Sequence, residues 1–371
     1  MPNAPAEDLI GRDRLLERVR TQVARALNGQ RATVLVAGEA GIGKTSLIRA
    51  AAALAAERGA RTAWGACVDV DGVPGYWPWT KALDDLVHSI GFDAAKRAAG
   101  DDRALLASIV PSFGNPPSGG LSPGDSPERL QLVLMDAVSR FLDALAKEGP
   151  VIVVLDDLQW ADESSLALLD FVTRAPNPAG VGFIGAYRPD ELSAGVRRRL
   201  VDVATRGEHF RVNGLDLEAV QELIARTTGD DVARQVAANI HRRTDGHPFF
   251  VRELASIAHL DGGKLEQVPS AVRDAIERRL ARLPDATVSM LEVAALGGTG
   301  VRPDVLAAVL GRSTVEVETA AQEGRDAGVL ARASAEVAFT HDLLRETILE
   351  RIDAPRRVAL HQAIGSALEA R

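Results

Sequence analysis

Three places in this 371-residue chain carry residue types at the spacing of phosphate chemistry. The first is Gly38-Glu39-Ala40-Gly41-Ile42-Gly43-Lys44-Thr45, followed by Ser46. It fits G-x-x-x-x-G-K-[ST], a loop whose backbone N–H groups converge on a β-phosphate because its glycines put no Cβ in the way. Lys44 would set a point charge between the β- and γ-phosphates, and the Thr45 hydroxyl would ligate Mg²⁺. The second place is Asp156-Asp157, directly after the apolar run 151–155. The first acid at such a strand end holds Mg²⁺, so Thr45 and Asp156 are the expected metal residues. The next acid, Asp157, is placed to orient or polarise an attacking water. The third place is Arg188, which follows the run 181–187. A strand inserted between the phosphate-loop strand and the Asp156 strand would put Arg188 beside the γ-phosphate, where it stabilises charge. The expected catalytic set is therefore Lys44, Asp157 and Arg188. Plainer readings stand beside these: a chance glycine-rich turn, a turn cap for Asp157, and a surface ion pair of Arg188 with Asp190 or Glu191.

The absence of Asn-Lys-x-Asp favours ATP over GTP, and no Leu-Ser-Gly-Gly-Gln is present. Hydrolysing phosphate-loop enzymes often carry Glu at the second acid position. The shorter Asp157 reaches water less well, so slow hydrolysis is expected.

The elements that must position these residues are legible. Leu15, Val19, Val23 and Leu27 recur every four residues and predict a helix over 13–28. The run 32–37 reads as a buried strand that enters the glycine loop, with a helix over 44–58 and a second strand over 61–66. Residues 68–80 read as a loop holding Tyr76, Trp77 and Trp79, and 111–127 as an exposed Pro/Gly/Ser loop. Ser126 and Pro127 start a helix that ends at Gly149-Pro150. Val151-Ile152-Val153-Val154-Leu155 is apolar throughout, as a parallel strand buried on both faces must be. Asp162 caps a helix to about 172, and 181–187 is the next strand. Strands alternating with helices predict a parallel α/β sheet. From about 215 the pattern is helical, with a further boundary near 261–263. Helices are expected near 269–282, 286–296, 303–310 and 314–327, then a β pair at 329–331 and 336–339, as in a winged helix.

Composition removes other classes. Lys+Arg 43 against Asp+Glu 51 lacks the basic excess of a broad phosphate-backbone binder, so direct DNA binding is not expected. The arginines 278, 279, 282 and 197–199 read as solvated helix faces. Cys67 is the single cysteine, which excludes a disulfide framework. No apolar run approaches the roughly 18 residues of a membrane span, and the first eight residues show no signal pattern, so a cytoplasmic protein is expected. Lysine survives at five positions (44, 81, 96, 147 and 264), and Lys44 is one of them.

The chain also resembles the STAND signalling ATPases, AAA+-like proteins, and most nearly the ATPase module of large ATP-binding LuxR-type transcriptional regulators. The likeness runs from Leu9 to Leu368. Leu9-Ile10-Gly11-Arg12 resembles an entry motif lying against adenine, which implicates Gly11 and Arg12. Gly75-Tyr76-Trp77-Pro78-Trp79 resembles a subgroup signature, and Leu155–Asp162 resembles the family's magnesium segment. Tyr187-Arg188-Pro189-Asp190-Glu191 resembles its γ-phosphate sensor. Gly246-His247-Pro248-Phe249-Phe250 resembles a lid motif whose proline, Pro248, packs on adenine; the subgroup more often has Asn at position 247. Phe339-Thr340-His341-Asp342 resembles a winged-helix motif in which His341 contacts the β-phosphate of ADP; the plainer reading of His341 is a helix cap.

These readings predict a P-loop α/β domain (1–213), a helical lid (214–264) and a winged-helix domain (265–371). The expected ligands are ATP or ADP with Mg²⁺, and the expected function is a nucleotide switch that self-associates in the ATP state. A DNA-acting ATPase and a nucleotide-holding module without turnover are the alternatives. The resemblance also predicts that sensor and effector parts lie outside this chain, as in a truncated core or a stand-alone one served by a separate effector.

Overall fold

The computed structural model describes residues 9–70, 72–115, 126–174, 180–229, 233–260, 268–298, 300–331 and 336–369. The chain divides into two compact units, Met1–Val212 and Asn213–Arg371.

The first unit runs α1 (Asp13–Leu27), β1 (Ala32–Ala37), α2 (Lys44–Glu57), β2 (Arg61–Ala66), α3 (Trp77–Ile90), α4 (Phe92–Ala99), α5 (Arg103–Leu106), α6 (Pro127–Ala146), β3 (Val151–Asp156), α7 (Glu163–Arg174), β4 (Val181–Tyr187), α8 (Ala194–Ala204) and β5 (Glu208–Arg211). The strands form one sheet in the order β2-β3-β4-β1-β5. Every pairing is parallel. Successive strand side chains point to opposite faces, so an all-apolar strand feeds two cores. Val34, Val36, Ile152, Val154 and Ile184 pack with Val19, Leu47 and Ile48 of α1 and α2. Leu35, Val153, Leu155 and Phe183 pack on the other face with Leu83, Phe141 and Leu169 of α3, α6 and α7. The register pairs Ala37 with both Tyr187 and Arg211, and Ala66 with Asp156. All five strands therefore end along one edge, where the loops after β1, β3 and β4 emerge side by side.

Several local expectations hold. Ser126 accepts a hydrogen bond from the Arg129 N–H at the start of α6, and Asp162 accepts one from Ser165 N–H at the start of α7. The expected loop over 68–80 does not hold beyond residue 76, because α3 begins at Trp77 with Pro78 in its first turn. Proline suits that turn, where an N–H has no partner in any case. Trp79 is fully buried, its ring packs edge-on to Phe183, and its indole N–H donates to Ser165 O (3.0 Å). Tyr76 N–H donates to Asp162 Oδ1 (3.3 Å). The aromatic segment is thus a packed cluster joining α3 to the start of α7. A Cβ on Gly65 would fall 1.9 Å from Pro78 O, so only glycine lets β2 and α3 approach this closely. Most of the expected 111–127 loop lies outside the described residues.

The second unit runs α9 (Leu217–Thr228), α10 (Arg234–Thr244), α11 (Pro248–Leu260), α12 (Ser270–Leu280), α13 (Asp285–Leu296), α14 (Pro303–Leu310), α15 (Thr314–Asp326), α16 (Asp342–Arg351) and α17 (Ala354–Glu369). Ser313 and Glu316 form a reciprocal capping box on α15. Among the described residues, the β pair expected at 329–331 and 336–339 shows one antiparallel bridge, Leu330↔Phe339, with a second, Val301↔Val337, on the other side of the 336–339 segment. The expected boundary at 261–263 lies outside the described residues. Among the described residues, no helix is long and apolar enough to cross a membrane.

Trp79→Ala is expected to cost about 3–5 kcal/mol of unfolding free energy through lost burial and the cavity left behind. Trp77→Ala should cost about 1 kcal/mol, since its half-buried ring chiefly meets Lys81 Nζ, 4.4 Å from the ring centre. Urea titration of the two variants checks the contrast.

Candidate active site

The glycine loop occupies the edge between β1 and α2. Gly41 and Gly43 have positive φ (78° and 102°), and Gly43 is the N-cap of α2. No side chain caps this helix, and its first turn holds no acid. A cation, Lys44, stands there instead, against the preference of the helix dipole for negative charge. Open N–H groups with a cation make a poor helix start and a good anion site. Gly38 N–H donates to Tyr187 O (3.3 Å), and a Cβ on Gly38 would lie 2.8 Å from the Ile42 side chain. Lys44 is buried, and its Nζ donates to Glu39 O (2.8 Å) within the loop. Ser46 is exposed.

Asp156 ends β3 and is buried. Its Oδ2 accepts from Thr45 Oγ1 (2.9 Å) and its Oδ1 from Asp157 N–H (2.9 Å). The expected metal pair is thus in direct contact, joining α2 to β3. Asp157 turns into the left-handed region (φ 54°). Its Oδ1 accepts from Gln159 Nε2 (2.8 Å) and lies 3.6 Å from Arg188 Nη2. Gln159 Oε1 in turn accepts from Arg188 N–H (3.0 Å). The Arg188 guanidinium also pairs with Glu191 (3.0 Å) and sits 4.9 Å from the Trp160 ring centre. The local Glu191 pairing and the placement beside the acids therefore coexist. Arg188 Nε is buried without a hydrogen-bond partner.

Burial, reinforced by the nearby Arg188 charge, lowers Lys44 to a pKa of about 8, against the pull of Asp157, Asp156 and Glu191. Burial and the Asp157 charge push the Asp156 carboxyl upward; the Thr45 hydrogen bond, the Asp157 N–H and Lys44 oppose them. Two cations crowded together favour an added anion, and two adjacent carboxylates favour an added cation. Thr45 hydroxyl and Asp156 carboxylate are hard oxygen donors of the kind Mg²⁺ takes. Among the described residues no group of three or more His, Cys, Asp or Glu could hold a metal. Mg²⁺ at this pair would complete its shell with water and phosphate oxygens, as it does in nucleotide sites.

Arg12, expected near adenine, is buried and donates from Nη2 to Ile42 O (3.1 Å), which ties the Gly11-Arg12 entry to the glycine loop. Gly11 has positive φ (64°). Glu39 and Ala40 belong to the same loop. In the second unit Pro248 opens α11. His341 is buried at the start of α16 but makes no capping hydrogen bond, contrary to the plainer expectation. Its ring packs against Phe250 (5.6 Å) and His247 (5.7 Å). Gln159 carries contacts at this site to which no sequence reading assigned a role. It lies in a segment already singled out, yet only the proximity of residues 157 and 188 reveals it.

Residues 8–184 match the family model described as the AAA ATPase domain. An uncharacterized protein of Rhizobium meliloti (strain 1021) is 24% identical over 97% of this chain. The chain spans only 37% of the length of that relative. Among solved structures, the Walker-type ATPase of Pyrococcus abyssi superposes with a TM-score of 0.60 at 15% identity, covering 94% of this chain and 98% of its own. The ORC2 protein of Aeropyrum pernix, solved as ADPNP–ADP complexes, gives 0.57 at 14% identity, covering 100% of this chain and 98% of its own. Residues 8–184 of the first unit thus resemble an AAA ATPase domain, on a parallel-sheet P-loop fold.

Because the folded pKa of Lys44 lies below its unfolded value of 10.5, its charge destabilises the nucleotide-free protein fully below pH 8. That penalty fades as pH rises from 8 toward 10.5. Lys44→Met should therefore stabilise the nucleotide-free protein at pH 7, by up to about 3 kcal/mol, and by less at pH 10. Denaturant unfolding at the two pH values reads the difference.

Proposed function

We propose that this chain is an ATP/ADP-binding regulatory switch with slow, Mg²⁺-dependent hydrolysis. In this reading it is the nucleotide-binding core of a bacterial signalling or transcriptional regulator. One observation supports it above the others: a continuous hydrogen-bonded path runs from Thr45 through Asp156, Asp157 and Gln159 to Arg188. It joins the phosphate loop to the tips of β3 and β4.

The loop N–H groups from Gly38 to Ser46 hold the phosphates, and Lys44 leaves Glu39 O to bridge the β- and γ-phosphates. Thr45 and Asp156 hold Mg²⁺, which neutralises phosphate charge when bound. Asp157 orients the attacking water through a carboxylate whose Oδ1 is already engaged. Arg188 meets the γ-phosphate and stabilises its charge. Slow turnover follows from the short Asp157 side chain, which reaches water less well than a Glu would. Reading the γ-phosphate requires Arg188 to exchange Glu191 for phosphate, which gives the ATP and ADP forms different contacts, as a switch needs.

The finer parts of the proposal rest on the resemblance. Pro248 and Gly11-Arg12 serve adenine, and His341 favours ADP. The second unit acts as lid and winged helix. Sensing and output belong to other domains or another chain, with self-association in the ATP form.

ADP·Mg²⁺ at 100 times its Kd should stabilise the protein by about 2.7 kcal/mol, a rise of several degrees in Tm, and Lys44→Ala should lose most of it. An equal rise in that variant sinks the phosphate-site reading. Arg188→Ala should weaken ATP more than ADP, and His341→Ala should weaken ADP more than ATP; titration calorimetry with both nucleotides separates the two patterns from a uniform loss.

A further inference from the structure

We infer that Gln159 is a positioning residue that keeps Asp157 and Arg188 from closing on each other, so that each remains available to the nucleotide. The inference rests on the hydrolytic reading of Asp157 above. Gln159 is buried, and both ends of its amide are engaged. Nε2 donates to Asp157 Oδ1 (2.8 Å), and Oε1 accepts from Arg188 N–H (3.0 Å). A carboxylate could not do both, because it has no N–H to offer; an apolar side chain could do neither.

The need for such a residue follows from what surrounds it. Asp157 has left the strand for a left-handed backbone (φ 54°), so the strand no longer dictates where its carboxylate points. The Arg188 guanidinium is 3.6 Å away, inside ion-pair range but beyond a hydrogen bond. An unrestrained carboxylate beside an arginine closes into a bidentate pair. That pair would remove the acid from water and the arginine from phosphate in one movement. The Gln159 amide takes the Asp157 oxygen from one side and holds the Arg188 backbone from the other. Glu191 draws the guanidinium away at 3.0 Å, and the Trp160 ring lies 4.9 Å from it. Gln159 therefore sets the separation of two groups that belong to different strand tips.

Gln159→Met keeps the side-chain length and loses both hydrogen bonds. Its ADP·Mg²⁺ affinity should stay within about threefold of wild type, since no phosphate-loop contact is touched, while kcat falls roughly 10- to 100-fold and the ATP preference given by Arg188 shrinks. Gln159→Glu supplies a second readout. Ionised, it places a carboxylate against Asp157; protonated, it regains a donor for Asp157 and an acceptor for Arg188. Its kcat relative to wild type at the same pH should therefore rise as pH is lowered from about 8 to about 5.5. Asp157→Asn is the control for the underlying reading. If wild type shows no turnover, or Asp157→Asn turns over at the wild-type rate, the hydrolytic reading fails and this inference with it. If Asp157→Asn is inactive while Gln159→Met keeps kcat within twofold, or loses ADP affinity in step with kcat, the inference alone is overturned. A Gln159→Glu pH profile parallel to wild type overturns it as well.

Discussion

The parallel register of β1, β4 and β3 is the constraint on which everything at the site depends. Ala37 is paired with Tyr187, and Leu155 with Gly185, so the glycine loop, Asp156-Asp157 and Arg188 all leave the sheet at one level. A slip of one residue would invert each strand between the two cores. The register is held because both faces are apolar: Val34 and Val36 serve one core while Leu35 and Ala37 serve the other. Hydrophobic packing, which has no interest in phosphate, thereby fixes the relative heights of charges that do.

Much of the first unit was legible because its strands are buried on both faces and need no alternation to be found. Runs 32–37, 151–155 and 181–187 are almost wholly apolar, and the glycine loop announces the turn between β1 and α2. The stretch from 77 to 106 was not legible. Gly75, Pro78 and three aromatics close together carry the usual marks of a loop, but here proline opens a helix and Trp79 is core. α4 and α5 are too short for periodicity to speak. Near the other end, residues 329–331 and 336–339 have strand composition, and among the described residues they meet at the single bridge Leu330↔Phe339.

At the site, the residues fixed by a loop motif or a strand end were within reach of the sequence, because spacing along the chain sets their geometry. Residues whose partners are distant in sequence were not. Gln159 meets Arg188 across 29 positions, and nothing in either neighbourhood announces the contact. Arg188 is paired locally with Glu191, as its plainer reading has it, and is also set beside Asp157.

The crowding of Lys44 and Arg188 has an energetic corollary. Two cations that repel each other in a buried site make it least favourable when no anion lies between them, so the fold stores part of the work of binding an anion before any arrives. Glu191, paired with Arg188 at 3.0 Å, already offsets part of that repulsion from the side away from the phosphate loop.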